Sequence, residues 1–437
     1  MRDAQPTPRD NATSRRDFMK ASALAASALA VPANAHAAGS DVIKIGLIGC
    51  GGRGTEAANN AMNAGQDVRL VAMADIFKER LDASRTHLKA AKPDQCQVAD
   101  DRCFVGFDAY EKVIACVDVV LITPASHFGP GMLQAAVAAG KHVFCEKPHG
   151  IDVPGLQAEK AACAEAKSKG LSLVSGLCWR HDLGVRETMK RVLGGAIGDI
   201  VAIQENYVSA PYIVRDRKPG HNEMTHQLWN WYHFNWLSGD QTAQQLVHSL
   251  DKASWALGDR PPLRAWGMGG RQTCVDARYG DQLDHQAVVF EYPGGVRVYG
   301  FTRDQEQCYT DTSDFILGTK GRCDVLKHVI TGETNWKYDG PKPNMYDVEH
   351  KFLFDAIRAG KPVNSGDYMV QSSALGVMAQ VACYTGGMVT WDELMSSRRT
   401  FSLPHYGWDV EPPVKPGPDG RYPTAMQGEA ERKLWLM

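Results

Sequence analysis

The sequence predicts an α/β fold in two parts, a doubly wound parallel sheet followed by a second sheet domain, and three observations carry the prediction. A short apolar strand runs straight into a glycine-rich turn and a helix. Strand-like and helix-like segments then alternate through residue 145, and beyond residue 200 strand-like runs follow one another with hairpin chemistry between them. At 437 residues the chain exceeds what one small core serves. Its 44% hydrophobic and 22% charged residues are those of a globular protein. The 48 basic and 50 acidic side chains leave no basic excess, and with no basic stripe this argues against a nucleic-acid partner. No apolar run reaches the roughly 18 residues of a membrane span.

The first element is an address. Ser14-Arg15-Arg16-Asp17-Phe18-Met19-Lys20 precedes a soft apolar stretch over 21–31, Pro32, and the small-residue sites Ala33-Asn34-Ala35 and Ala35-His36-Ala37. Residues 1–37 read as a twin-arginine export signal cleaved near Ala37, which predicts a periplasmic or secreted protein. So short an apolar stretch does not hold a chain across roughly 30 Å of hydrocarbon, so no stable membrane anchor is expected. Eleven cysteines, an odd number, fit this route because twin-arginine export carries folded cargo. Mostly buried, reduced thiols follow. No Cys or Cys/His spacing suits zinc, so no metal is expected.

Residues 42–48 form a β-branched, mostly apolar strand of the buried parallel kind. Gly49-Cys50-Gly51-Gly52-Arg53-Gly54 follows at once, and 55–64 continues as a helix. Such a turn lets backbone approach a pyrophosphate and aims helix N–H groups at its charge, which marks a Rossmann dinucleotide-binding domain over 41–170. The next strand, 68–74, ends at Asp75, 21 residues beyond Gly54. A carboxylate there accepts hydrogen bonds from ribose hydroxyls and repels a 2′-phosphate, so NAD is expected over NADP, with Lys78 and Arg80 leaving NADP open. A strand at 117–123 leads to Pro124-Ala125-Ser126-His127, a helix at 131–139 and a strand at 141–145. Thr123, His127 and Glu146 emerge at the carboxyl ends of these strands, where ligands of such sheets sit.

Glu146-Lys147-Pro148, straight after a strand, resembles the signature of the glucose-fructose oxidoreductase / inositol dehydrogenase / MocA (Gfo/Idh/MocA) family. Gly195-Ala196-Ile197-Gly198 resembles that family's turn into its second domain, His248-Ser249-Leu250-Asp251 its H-x-x-D, and Gly318-Thr319-Lys320-Gly321 a recurring strand turn. The resemblance covers 41–400. It implies a C-terminal α/β domain over 171–345 with a large, open, mostly antiparallel sheet for substrate and oligomer contacts, helices returning to the first domain over 346–400, and a homo-oligomer, dimer or tetramer. Strand-like runs at 201–208, 263–268, 286–292 and 296–302, with Pro293-Gly294-Gly295 between the last two, support such a sheet. Residues 347–359 and 371–386 read as helices, and the tail over 401–437, rich in proline, as an extended wrap.

The cofactor set expected from motif and resemblance is Gly49, Gly51, Gly52, Arg53, Gly54, Asp75, Thr123, Pro124, His127, Glu146 and Lys147. Oxidising a carbinol needs a group that takes the hydroxyl proton and a donor that steadies the developing alkoxide. The resemblance assigns contact with the reacting hydroxyl to Lys147 and the base to His248. Family dehydrogenases commonly place an aspartate four residues before that histidine, where this chain has Gln244. Either His248 acts unaided, or Asp284, His226 or His285 contributes. The run from Trp229 to Trp236 holds five aromatics in eight positions and reads either as a sugar platform, through Trp231 and Tyr232, or as core and interface. Arg180 and Gln244, whose amide can orient substrate by hydrogen bonds, are further substrate candidates, as is His248. The expected activity is NAD(P)-dependent oxidation of a sugar or cyclitol hydroxyl with tightly bound, internally recycled NAD, since no NAD pool exists outside the cytoplasm. The alternatives are redox-neutral glycoside cleavage through a transient keto-sugar and a non-catalytic exported binding protein.

Overall fold

The computed structural model describes residues 42–437, and residues 1–37, read above as an export signal, lie outside them. Six strands form the first sheet: β1 Ile43–Ile48, β2 Val68–Asp75, β3 Cys103–Val105, β4 Val119–Ile122, β5 His142–Cys145 and β6 Leu173–Ser175. Their order is β3-β2-β1-β4-β5-β6, and every neighbouring pair is parallel. β4 is buried throughout and β1 at all but Lys44, as strands covered by helices on both faces must be. The chain order reverses between β1 and β4, which opens a crevice at their carboxyl ends. Helix Met345–Arg358 returns from the far end of the chain and shares one core with β1 and β2 through Leu353, Phe354 and Ile357.

Nine strands form the second sheet: β7 Ile200–Ser209, β8 Arg264–Gly270, β9 His285–Glu291, β10 Arg297–Asp304, β11 Asp311–Gly318, β12 Gly321–Asp324, β13 Val329–Gly332, β14 Trp336–Lys337 and β15 Val389–Thr390. The order is β14-β13-β12-β11-β7-β10-β9-β8-β15, antiparallel except for β7 beside β10. Gly294 and Gly295, at φ 80° and 81°, make the turn from β9 into β10. Along β10, Val298, Gly300 and Thr302 are buried and Arg297 and Phe301 exposed, so one face takes the helices and the other is open. Helix Val247–Ala256 and the 20-residue helix Gly366–Thr385 cover the inner face.

Short strands such as β12 to β14 carry no pattern of their own, because neighbours fix two to four residues more than alternation does. The tail runs without helix or strand to residue 428 and then forms helix Glu429–Leu436, which the extended-wrap expectation misses. Trp435 of that helix packs on Tyr384, ring centroids 5.0 Å apart. All eleven cysteines are free, eight of them buried.

Candidate functional site

The glycine turn is built for close approach. Gly49 holds φ 93°, and a Cβ there would stand 2.5 Å from the Thr123 carbonyl oxygen. On Gly54 it would meet the Gly49 oxygen at 1.9 Å. Gly51 and Gly52 instead face open space, and helix Gly52–Asn63 starts with no side chain capping its N–H groups. A cradle with free N–H donors that two Cβ atoms would begin to fill fits a pyrophosphate. Thr123 pins the turn, its Oγ1 donating to the Gly49 carbonyl at 2.7 Å. Asp75 lines the crevice and also braces the turn, accepting from the Cys50 N–H at 2.7 Å and the Phe77 N–H at 2.8 Å. Pro124, Phe107, Tyr110, Phe128 and Met132 supply apolar walls suited to a purine.

Two of the expected cofactor contacts turn out otherwise. His127 leaves the crevice wall to its neighbours: its Nε2 lies 2.6 Å from the Tyr406 hydroxyl, its ring packs on Trp236, and burial pushes its pKa down to about 4. Glu146 is spent on Arg53, whose guanidinium also pairs with Glu349 at 3.2 Å and lies 4.4 Å over the Tyr346 ring. The residues at 53, 146 and 349 thus tie the glycine turn, the Glu-Lys-Pro loop and helix Met345–Arg358 together. Arg53 still lines the crevice.

Lys147 follows the carboxyl end of β5, and its charge is felt at His248. The helix leading to His248 widens into a π turn over Thr242–Leu246, and the Lys147 ammonium donates to the Gln244 carbonyl at 2.6 Å. A π turn breaks the regular hydrogen-bond ladder, and such turns recur at functional sites. Burial lowers the pKa of Lys147, opposed by Glu146 and reinforced by Arg53. Burial also holds His248 well below its ordinary value, with Lys147, Lys252, Arg53 and His149 adding to the effect. His248 is therefore a neutral imidazole at neutral pH, and its Nδ1 is buried without a partner. One turn on, Lys252 donates to the His248 carbonyl at 2.8 Å and pairs with Asp314 of β11 at 3.2 Å, which fixes the helix on the sheet.

Other candidates are placed elsewhere. The Gln244 amide donates to Ser126 Oγ at 2.8 Å and to the Ser238 carbonyl, so its side chain is committed to the protein and not to substrate. Arg180 is no free substrate contact: it pairs with Asp251 at 2.8 Å and Asp259 at 2.6 Å, which also makes the aspartate of H-x-x-D a structural anion. Tyr232 is buried and accepts a hydrogen bond from Gln245, and Phe234 and Trp236 are core, so the aromatic run is not an open sugar platform. Trp231 lines the nucleotide crevice instead. Asp284 is held by the N–H groups of Gln272, Thr273 and Cys274 and bonds His285, which drops its pKa to about 2. His226 is buried beside Phe234. None of these three carries a free base to Lys147. Glu349, Tyr346, Arg215 and the π turn escape sequence reading, since no local spacing marks them.

Residues 43–175 match the Gfo/Idh/MocA family, an oxidoreductase family with an NAD-binding Rossmann fold, and the first domain is an NAD-binding Rossmann domain. Inositol 2-dehydrogenase of Gluconacetobacter diazotrophicus is 25% identical over 378 residues, covering 82% of this chain and 98% of the relative. The structure of scyllo-inositol dehydrogenase from Lactobacillus casei with NAD(H) and scyllo-inositol bound superimposes with a TM-score of 0.60 at 20% identity, over 80% of this chain and 99% of that one. Aldose-aldose oxidoreductase from Caulobacter crescentus, complexed with glycerol, gives 0.62 at 18% identity over 80% and 99%. These two likenesses show the fold of both domains.

Proposed function

We propose that this protein is an NAD-dependent oxidoreductase acting on a hydroxyl of a sugar or cyclitol, with Lys147 and His248 at the reacting carbon. The observation that carries the reading is a neutral, half-buried imidazole within electrostatic reach of a lysine ammonium, the lysine following directly on Glu146, which pairs with the crevice-lining Arg53. Gly49, Gly51, Gly52 and Gly54 would hold the pyrophosphate and Asp75 the ribose. The bound nicotinamide supplies a hydride acceptor. Lys147 then orients the substrate hydroxyl and steadies the growing negative charge on its oxygen, while His248 takes the hydroxyl proton. The Gln244 carbonyl holds the Lys147 ammonium in place while no substrate is bound.

The inositol 2-dehydrogenase likeness supports a polyol substrate. The twin-arginine motif supports export, and export favours a cofactor loaded in the cytoplasm, kept through each turnover and returned to its starting state. Nanomolar affinity, about −12 kcal/mol, is what such retention requires. The open sheet face, with Trp266, Met268, Phe301 and Leu317 exposed, supports a homo-oligomer. A second reading, glycoside cleavage through a transient ketone with no net oxidation, is favoured by one observation: the carboxylate expected before His248 is replaced by a committed amide at Gln244.

Purified full-length protein should release nicotinamide nucleotide on denaturation, and with polyols and aldoses should give a keto or lactone product. A phenol released from an aryl glycoside without net NADH selects the second reading. Neither bound nor bindable nicotinamide sinks both.

A further inference from the structure

The tail over 401–422 runs from the first domain to the second across the back of the nucleotide crevice. On the first-domain side, the Phe401 N–H and Thr400 Oγ1 both donate to Asp152 Oδ2, at 2.7 and 3.1 Å. The Tyr406 ring lies 5.2 Å from that of Phe128 and 6.4 Å from that of Phe107, centroid to centroid, and its hydroxyl stands 2.6 Å from His127 Nε2. Trp408 packs on the same Phe107 at 5.1 Å and on Phe77 at 5.5 Å. On the second-domain side the tail grips helix Glu223–Trp229 and its cap. Asn222 Nδ2 donates to the Trp408 carbonyl at 2.5 Å, Gln227 Nε2 to the Val414 carbonyl at 2.7 Å, and the Tyr422 hydroxyl to Glu223 at 2.8 Å.

The residues so held are walls of the crevice. Phe107 and Phe128 line it from the first domain, and Leu228 and Trp231, on and just past the gripped helix, line it from the second. All four belong to one apolar cluster that also takes in Phe401, Tyr406, Val414 and Tyr422 of the tail. Among the described residues the crevice lining itself includes none from the tail. With walls from both domains, the crevice widens only as Leu228 and Trp231 move away from Phe107 and Phe128. That movement strips the tail from rings on one side or from hydrogen bonds on the other.

We propose that the tail is a staple that governs the rate of dinucleotide exchange, with Tyr406 and Trp408 as its positioning residues. The inference rests on the reading of this crevice as the dinucleotide site and adds what sets its rates. The staple's contacts are protein to protein, so they hold the walls together with or without a nucleotide. It therefore slows entry and exit alike and leaves affinity nearly unchanged. A residue that touched the nucleotide would instead change affinity mostly through the exit rate. At a given affinity, slower exchange lengthens the stay of a bound cofactor, which the retention proposed above requires.

Stopped-flow mixing of NADH with full-length protein, stripped of nucleotide with charcoal, reads both rates through nicotinamide fluorescence. In the unaltered protein the observed binding rate should level off as NADH rises, because opening becomes limiting. A rate that climbs in proportion to NADH throughout overturns the inference, and needs no variant to fold. Trp408, 38% exposed, is the place to cut. Trp408→Ala should raise association and dissociation rates together, each about tenfold for the loss of two ring contacts, with the Kd held within about threefold. Trp408→Phe, which keeps a ring against Phe107 and Phe77, should bring both rates back toward the parent values. Tyr406→Phe, which loses only the bond to His127, should give a smaller rise in both. Faster dissociation with unchanged association would make Trp408 part of the nucleotide's own wall and overturn the staple, as would unaltered rates in folded Trp408→Ala. Absence of any NADH binding at equilibrium removes the dinucleotide reading beneath it, and the staple with it.

Discussion

Around Lys147 the cations have fixed partners, and beside Asp75 they do not. Arg53 is shared by Glu146 and Glu349, Lys147 rests on the Gln244 carbonyl, and Lys252 pairs with Asp314. Arg80 and Arg215 stand instead on the Trp229 indole, with no carboxylate at contact distance among the described residues. Fixed partners hold side chains in one geometry, which serves a reaction whose atoms must meet within a few tenths of an ångström. Unpaired, partly desolvated cations hold attraction in reserve for an anionic ligand. The contrast separates chemistry from affinity along one groove.

The sharpest way to break that separation is at Lys147. Lys147→Met should lower turnover roughly 10²–10⁴-fold and leave NAD affinity within threefold, as read by steady-state rates and nucleotide titration. Parallel loss of both would mean that the two ends act as one.

Arg180 gives the next effect, on stability. Arg180→Met strands Asp251, which is 1% exposed, without its cation. Removing one partner of a buried pair costs roughly 3–5 kcal/mol, measurable by urea unfolding, while KM for substrate stays unchanged. A raised KM with unchanged stability would return Arg180 to the substrate site.

The smallest effect concerns pH. A base must be unprotonated to accept the substrate proton, and burial with Lys147, Lys252, Arg53 and His149 keeps His248 unprotonated well below pH 6.5. The acid limb of kcat/KM for oxidation should therefore lie below that of an ordinary histidine, leaving the profile flat from pH 8 through about 6.5. An inflection at an ordinary histidine pKa would show that the reacting end is not electrostatically fixed by its cations.

Legibility followed distance along the chain. The glycine turn, Asp75 and the strands around them are written within about thirty residues, so residue type and spacing alone place them. The same reasoning failed on arginines. Arg180 and Arg80 both look like candidates in sequence, yet Arg180 meets Asp251 and Asp259, 71 and 79 residues away, while Arg80 meets no carboxylate. The aromatic run misled for a related reason. Period and composition do not say which rings a later tail will cover, and Tyr422 of that tail packs on Phe234 at 4.9 Å.

By itself the sequence determined the parallel sheet and its nucleotide turn, because steric limits on glycine and the apolar demand of a buried strand act locally. Only the tertiary structure decided which charges are neutralised. Ion pairing depends on distances of a few ångströms between segments remote in sequence, and it is that pairing which makes Arg180 structural, while burial near several cations keeps His248 neutral.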